Sequence, residues 1–139
     1  MIAAARRFDL LPVQLDGNLE SIFREIASGN PVLVLQNLGF DIYPKWHYAI
    51  VIGYDLDEET VVLRSGTHER LVRSFSLFER TWKRAGLWSL AIVAPGQVPV
   101  TVDAESFLKT LIEFEQTSGS YPAYQGYLSA VNKWPSSVL

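Results

Sequence analysis

The stretch Pro44-Lys45-Trp46-His47-Tyr48-Ala49-Ile50-Val51-Ile52-Gly53-Tyr54-Asp55 decides the fold. From Trp46 to Tyr54 it is dominated by β-branched and aromatic side chains, the composition of a strand. Its one imidazole, His47, stands where a loop becomes that strand. An acidic turn, Asp55–Glu59, follows, and Thr60–Leu63 returns to β-branched residues, so the pair reads as a β-hairpin with a longer loop. Ser65-Gly66-Thr67 makes a second turn and His68–Val72 a polar returning strand. Upstream, Asn30-Pro31 opens Val32–Leu35, a continuous aliphatic run of the kind found in buried strands. The loop Asn37–Lys45 between them carries Gly39, Pro44 and two exposed-looking aromatics, Phe40 and Tyr43.

Helices flank this sheet. Leu19, Ile22, Phe23, Ile26 and Ala27 fall at helical spacing, with Asn18 as N-cap and Gly29 as the stop. Phe75, Phe78 and Trp82 repeat that spacing behind Ser74 or Ser76, and Gly86 ends the helix. Leu10–Leu15, broken by Pro12, predicts a short edge strand, and Leu87–Ala94 a last one. Met1–Phe8 has good helix propensity but is too short to hold a helix alone. The pattern is α+β: an antiparallel sheet with flanking helices over residues 1–95. Pro95-Gly96-Gln97-Val98-Pro99 then opens a linker, 96–102. Beyond it, a helix capped by Asp103 and a second helix, Pro122–Trp134, predict an αα-hairpin over 103–139. The second helix is expected to present Tyr124, Tyr127, Leu128 and Val131 on one face.

Composition removes several classes of function. Net charge is −3, with both signs scattered, which gives no basic face for nucleic acid and no polybasic patch for an anionic membrane. There is no cysteine in the 139 residues, hence no disulfide, no thiolate metal site and no thiol nucleophile in this chain. The N-terminus lacks the apolar core of a signal peptide, and the longest apolar runs, Tyr48–Ile52 and Leu90–Ala94, are too short to span a bilayer. Compartment is left open, because a cysteine-free chain folds in reducing or oxidising surroundings alike. No cofactor or metal is expected; His68-Glu69 is the one tempting pair, and two histidines with no further ligand spacing favour a solvated strand face over zinc.

His47 is the principal chemical candidate. An imidazole changes protonation nearest neutral pH, which suits a general base, and the start of a buried strand holds it rigidly. The alternative is a half-buried histidine bonded to a backbone carbonyl. Gln36 and Asn37 end a strand beside the loop that leads to His47; they either contact a peptide backbone or satisfy local loop amides. Phe40, Tyr43 and Trp46 either wall a groove or pack.

Three segments carry a family resemblance: Pro31-Val32-Leu33-Val34-Leu35-Gln36-Asn37-Leu38-Gly39, then Trp46 to Asp55, then Leu63-Arg64-Ser65-Gly66. Together they resemble the second half of the bacteriocin-processing, double-glycine peptidases, which are papain-like cysteine peptidases. The resemblance implies a papain-like half-domain in which His47 takes the proton of a cysteine carried on an upstream segment. It places the group that orients the imidazole at Ser65, where the family usually has Asp-Pro; Asp55 is a weaker alternative carboxylate. It implies a peptide or protein as ligand, with Gln36, Asn37, Tyr43 and Trp46 as candidate contacts. The tail, with Trp134-Pro135, is similar to the start of a tetratricopeptide repeat. Such a half-fold leaves apolar surface wet at a cost of about 25 cal/mol per Å², so self-association is expected. As it stands the chain is expected to be inactive as a peptidase; the other reading is a peptide-binding module on a helical scaffold.

Overall fold

A computed structural model describes residues 9–138. The strands are β1 (Leu11–Gln14), β2 (Val32–Asn37), β3 (Trp46–Asp55), β4 (Thr60–Ser65), β5 (His68–Ser74) and β6 (Ser89–Val93). The helices are α1 (Leu19–Ala27), α2 (Phe75–Arg84), α3 (Ala104–Ser118), α4 (Ser120–Lys133) and the single turn α5 (Pro135–Val138). One six-stranded sheet runs in the order β1-β6-β2-β3-β4-β5, and β2 through β5 pair antiparallel with their sequence neighbours. The fold is α+β. The Ala-rich start, Met1–Phe8, lies outside the described residues.

Two compact units emerge, one made of the chain up to Val13 together with Ala91 onward, the other Gln14–Leu90. In Gln14–Leu90, α1 begins where Asn18 Oδ1 accepts the Ser21 amide at 2.8 Å, and ends at Gly29, whose φ of +89° an L-residue rarely adopts. α2 starts on Ser74, whose hydroxyl accepts from Leu77 N. Both helices lie against the same face of the sheet, where Val32, Val34, Ala49, Val51 and Leu63 are buried. A bulge between Val51 and Gly53 breaks the β3–β4 register. Past it, Tyr54 stacks on Phe23 of α1 with ring centroids 4.4 Å apart.

The other unit has its own core of Leu11, Val13, Val93, Phe107, Leu111, Phe114, Ala123 and Ala130. Two expectations for α4 change. It begins at Ser120 instead of Pro122, because Pro122 sits in the first turn, where a missing N–H breaks no helical bond. Its buried face is Ala123, Gly126 and Ala130, while Tyr124 and Leu128 are largely exposed. Small residues face inward because α3 comes close: a Cβ on Gly126 would collide with Leu111 Cδ2.

Candidate functional site

β3 has two unlike sides. Ala49 and Val51 point into the helix-covered face, whereas Trp46, Tyr48, Ile50 and Ile52 are all substantially exposed on the other. By this alternation His47 belongs to the helix-covered side, at the end of the strand where cover runs out, and it is half-buried. Gln36 is its cross-strand neighbour on β2.

The imidazole is held from the β4–β5 turn. His47 Nε2 lies 2.5 Å from Ser65 Oγ, and a Cβ placed on Gly66 would sit 4.0 Å from His47 Cε1. Gly66 has φ +58°, so the turn that brings Ser65 to the ring needs a residue tolerant of left-handed backbone. Among the described residues Nδ1 makes no hydrogen bond. Among the described residues, then, one ring nitrogen is committed and the other is not.

Gln36 and Asn37 are nearly fully buried. Gln36 Nε2 donates to Thr81 Oγ1 at 2.9 Å, and Thr81 Oγ1 itself donates to Phe78 O. A hydroxyl whose proton is engaged can only accept from the amide, which fixes the amide's orientation. This bond ties β2 to α2 beside His47. Asn37 satisfies loop amides, the second of its two sequence alternatives: its Oδ1 accepts from Gly39 N and Lys45 N, both at 2.9 Å, and Nδ2 donates to Phe40 O. Leu38 N donates to Lys45 O, closing the base of the loop. Arg84, missed by sequence reasoning, clamps the same loop by donating to the carbonyls of Asn37 and Gly39. A basic residue at the end of a predicted helix was the only signal, and it is a common one.

The remaining candidates are not brought to the imidazole. Asp55 pairs with Thr60 at the far end of β3, about 26 Å away along an eight-residue stretch of strand. Its carboxylate caps its own turn, accepting from Asp57 N and Glu58 N. Trp46 sits on the face opposite His47, because adjacent strand residues point to opposite sides. Tyr43 lies at the tip of the loop, 79% exposed. Glu69 makes only a loose surface pair with Arg64 at 3.9 Å, and no group of three metal-ligating side chains forms among the described residues.

Next to Ser65 lies a pocket of about 210 Å³ between α2 and strands β4 and β5. Its wall is mostly aliphatic and aromatic, with Gln36, Thr81, Ser65 and Arg73 as polar members.

Within Gln14–Leu90 the two helices lie on one face of the sheet, and a histidine is held at the end of the interior strand β3 beside a pocket. The model of the Peptidase_C39 like family matches residues 8–88, more than half of the chain, and the chain belongs to that family. The crystal structure of a C39-like peptidase from Bacillus anthracis matches with a TM-score of 0.50 at 19% identity, over 59% of this chain and 50% of that one. At that identity the likeness concerns the fold, and this chain spans about half the length of that relative. No curated protein matches. The α3–α4 hairpin lies outside the family match.

Proposed function

We propose that this chain supplies the imidazole half of a thiol-peptidase site, with His47 as general base, Ser65 as the group that orients it, and the nucleophilic cysteine carried elsewhere. Without that cysteine the chain binds peptide but does not cleave it. The observation that carries the reading is the division of labour on the ring: Nε2 rests on Ser65 Oγ and Nδ1 is uncommitted. A ring so anchored offers its second nitrogen to a thiol. For this, Ser65 must accept from Nε2–H, so that Nδ1 keeps its lone pair.

Serine changes the energetics relative to a carboxylate. It fixes the ring's orientation but brings no negative charge to stabilise the imidazolium that forms when the thiol is deprotonated. That favours, as the second reading, a domain that holds peptides without cutting them.

The test is the tautomer. Long-range ¹H–¹⁵N spectra of the neutral ring should show the proton on Nε2 and a pyridine-like Nδ1, and Ser65→Ala should lose that preference. A ring protonated on Nδ1 instead, with Ser65 donating, removes the base and with it the proposal. In parallel, the chain alone should leave quenched peptide substrates intact while binding peptides. Cleavage of those substrates by the chain alone would also sink the assignment.

A further inference from the structure

Of the four most exposed large apolar side chains among the described residues, three sit on one turn: Phe40, Ile42 and Tyr43, at 76%, 84% and 79%. They belong to the loop between β2 and β3, and that loop is closed. Past the last strand pair, Asn37 with Trp46, Leu38 N donates to Lys45 O at 2.9 Å and Phe40 N to Tyr43 O at 3.0 Å. These bonds carry the hairpin outward and leave Asp41 and Ile42 as its turn. Gly39 permits the closure, since a Cβ there would collide with the Tyr43 carbonyl. A loop braced in this way cannot fold its apolar side chains back onto the sheet, so folding leaves them in water.

The size and chemistry of the turn decide what covers it. Its three large side chains offer on the order of 500 Å². A stable contact between proteins needs about 800 Å² per partner, whereas a lipid interface closes around a small projection and sets no such minimum. Tyr43 and, at the foot of the loop, Trp46 join an apolar ring to a polar group, the type that settles at headgroup level. Lys45 between them has a stem long enough to keep its charge in water. Charge is also segregated along β3. The turn at its other end carries four exposed carboxylates, on Asp55, Asp57, Glu58 and Glu59, which anionic headgroups repel.

We infer that the Phe40–Tyr43 turn is an interfacial anchor, dipping into the boundary between headgroups and acyl chains of a lipid bilayer. The contact is shallow and apolar: net charge is −3, and no helix among the described residues is long and apolar enough to cross a membrane. Because His47 lies at the loop end of β3, the anchor turns the imidazole's end of the sheet toward the lipid and the acidic turn away from it. The inference stands apart from the role given to His47.

The test is flotation of the full chain with phosphatidylcholine vesicles on a density gradient. The chain should float with the lipid in low and high salt alike. Phe40→Ser and Ile42→Ser, on side chains too exposed to hold the fold, should each weaken partition about tenfold. Tyr121→Ser, on an equally exposed ring of α4, should leave it unchanged. Asp41→Asn should strengthen it severalfold by removing the one charge in the turn. With no cysteine in the chain, Ile42→Cys takes a single environment-sensitive dye, whose emission should move to the blue on the vesicles. Failure to float at any lipid concentration, flotation only with anionic vesicles and lost in salt, an unshifted dye, or equal losses at Tyr121 and Ile42 each overturns the inference. So does a light-scattering mass that the loop substitutions lower, since a second copy then covers the turn. His47→Gln removes the base and should float as the unaltered chain does, so the two proposals fail separately.

Discussion

Seven polar side chains are buried among the described residues, namely Ser21, Glu25, Gln36, Asn37, Ser65, Thr81 and Ser89, and all fall within Gln14–Leu90. The described residues of the other unit bury none; its core is Leu11, Val13, Val93, Leu111, the α3 aromatics and the small residues of α4. Both stretches are compact, but they are held differently. The buried core of the hairpin is apolar, and close approach of its helices dominates there. In Gln14–Leu90 four of these seven converge on one place: Gln36 and Thr81 tie β2 to α2, Asn37 closes the loop ahead of β3, and Ser65 holds the ring. A buried polar group costs stability unless it is bonded, so a cluster of bonded ones marks where geometry matters more than stability.

This contrast can be broken by experiment, and the largest effect is expected at Asn37. Asn37→Ala strands the Gly39 and Lys45 amides and should cost about 2–4 kcal/mol in urea unfolding, with exchange broadening in NMR spectra of residues 38–45. A loss as small as a surface substitution would mean that the loop closes without it. In the hairpin the matching perturbation is steric. Gly126→Ala pushes on the buried Leu111 side chain, and calorimetry should read a loss of about 1–2 kcal/mol. In a double-mutant cycle, Leu111→Ala should make Gly126→Ala less costly than it is beside Leu111.

The bare side of β3 sharpens the contrast at the surface. Trp46, Tyr48, Ile50 and Ile52 form an exposed apolar row, and we propose that it drives self-association. Light scattering should show a mass that rises with concentration, and Ile50→Glu should return it to the monomer. A monomer at all concentrations would refute this.

The smallest effects concern pH in the hairpin. Burial, and then the hydrogen bond and charge of Glu115, push the Tyr127 hydroxyl above its ordinary value of 10.0. The folded state therefore keeps a proton that the unfolded chain gives up. The stabilisation is full below the unfolded value and is lost as pH rises through the higher folded one. Tyr127→Phe should flatten that alkaline decline by a few tenths of a kcal/mol. Asp103 has the opposite sign. Its bond to the Ser106 amide holds the carboxyl below 3.8, so its contribution is present above that value and fades as pH falls through the folded one. Asp103→Asn should remove that acid dependence in a thermal melt.

Much of the framework was legible before any coordinates. Period and punctuation placed α1, β2, β3 and α2 to within a few residues, since Asn18, Ser74 and Gly29 are local signals for local events. The buried face of α4 was misread because Tyr124 and Leu128 look like core, whereas the deciding fact is how near α3 comes, and spacing along one helix carries no such distance. The His47–Ser65 contact was reachable only through the family resemblance, because 18 residues and a turn separate the two. Arg84 was not legible: its role depends on where the Asn37–Lys45 loop comes to rest in space.

That loop has a practical use. Its base is bound by Asn37, Leu38 and Arg84, while Phe40 and Ile42 at its tip are 76% and 84% exposed. Because the stem is fastened independently of the apex, a reporter or affinity tag grafted between Asp41 and Ile42 would leave the imidazole's strand in register. Protein engineers thus have an attachment point beyond the hydrogen-bonded base of the loop, several residues from His47.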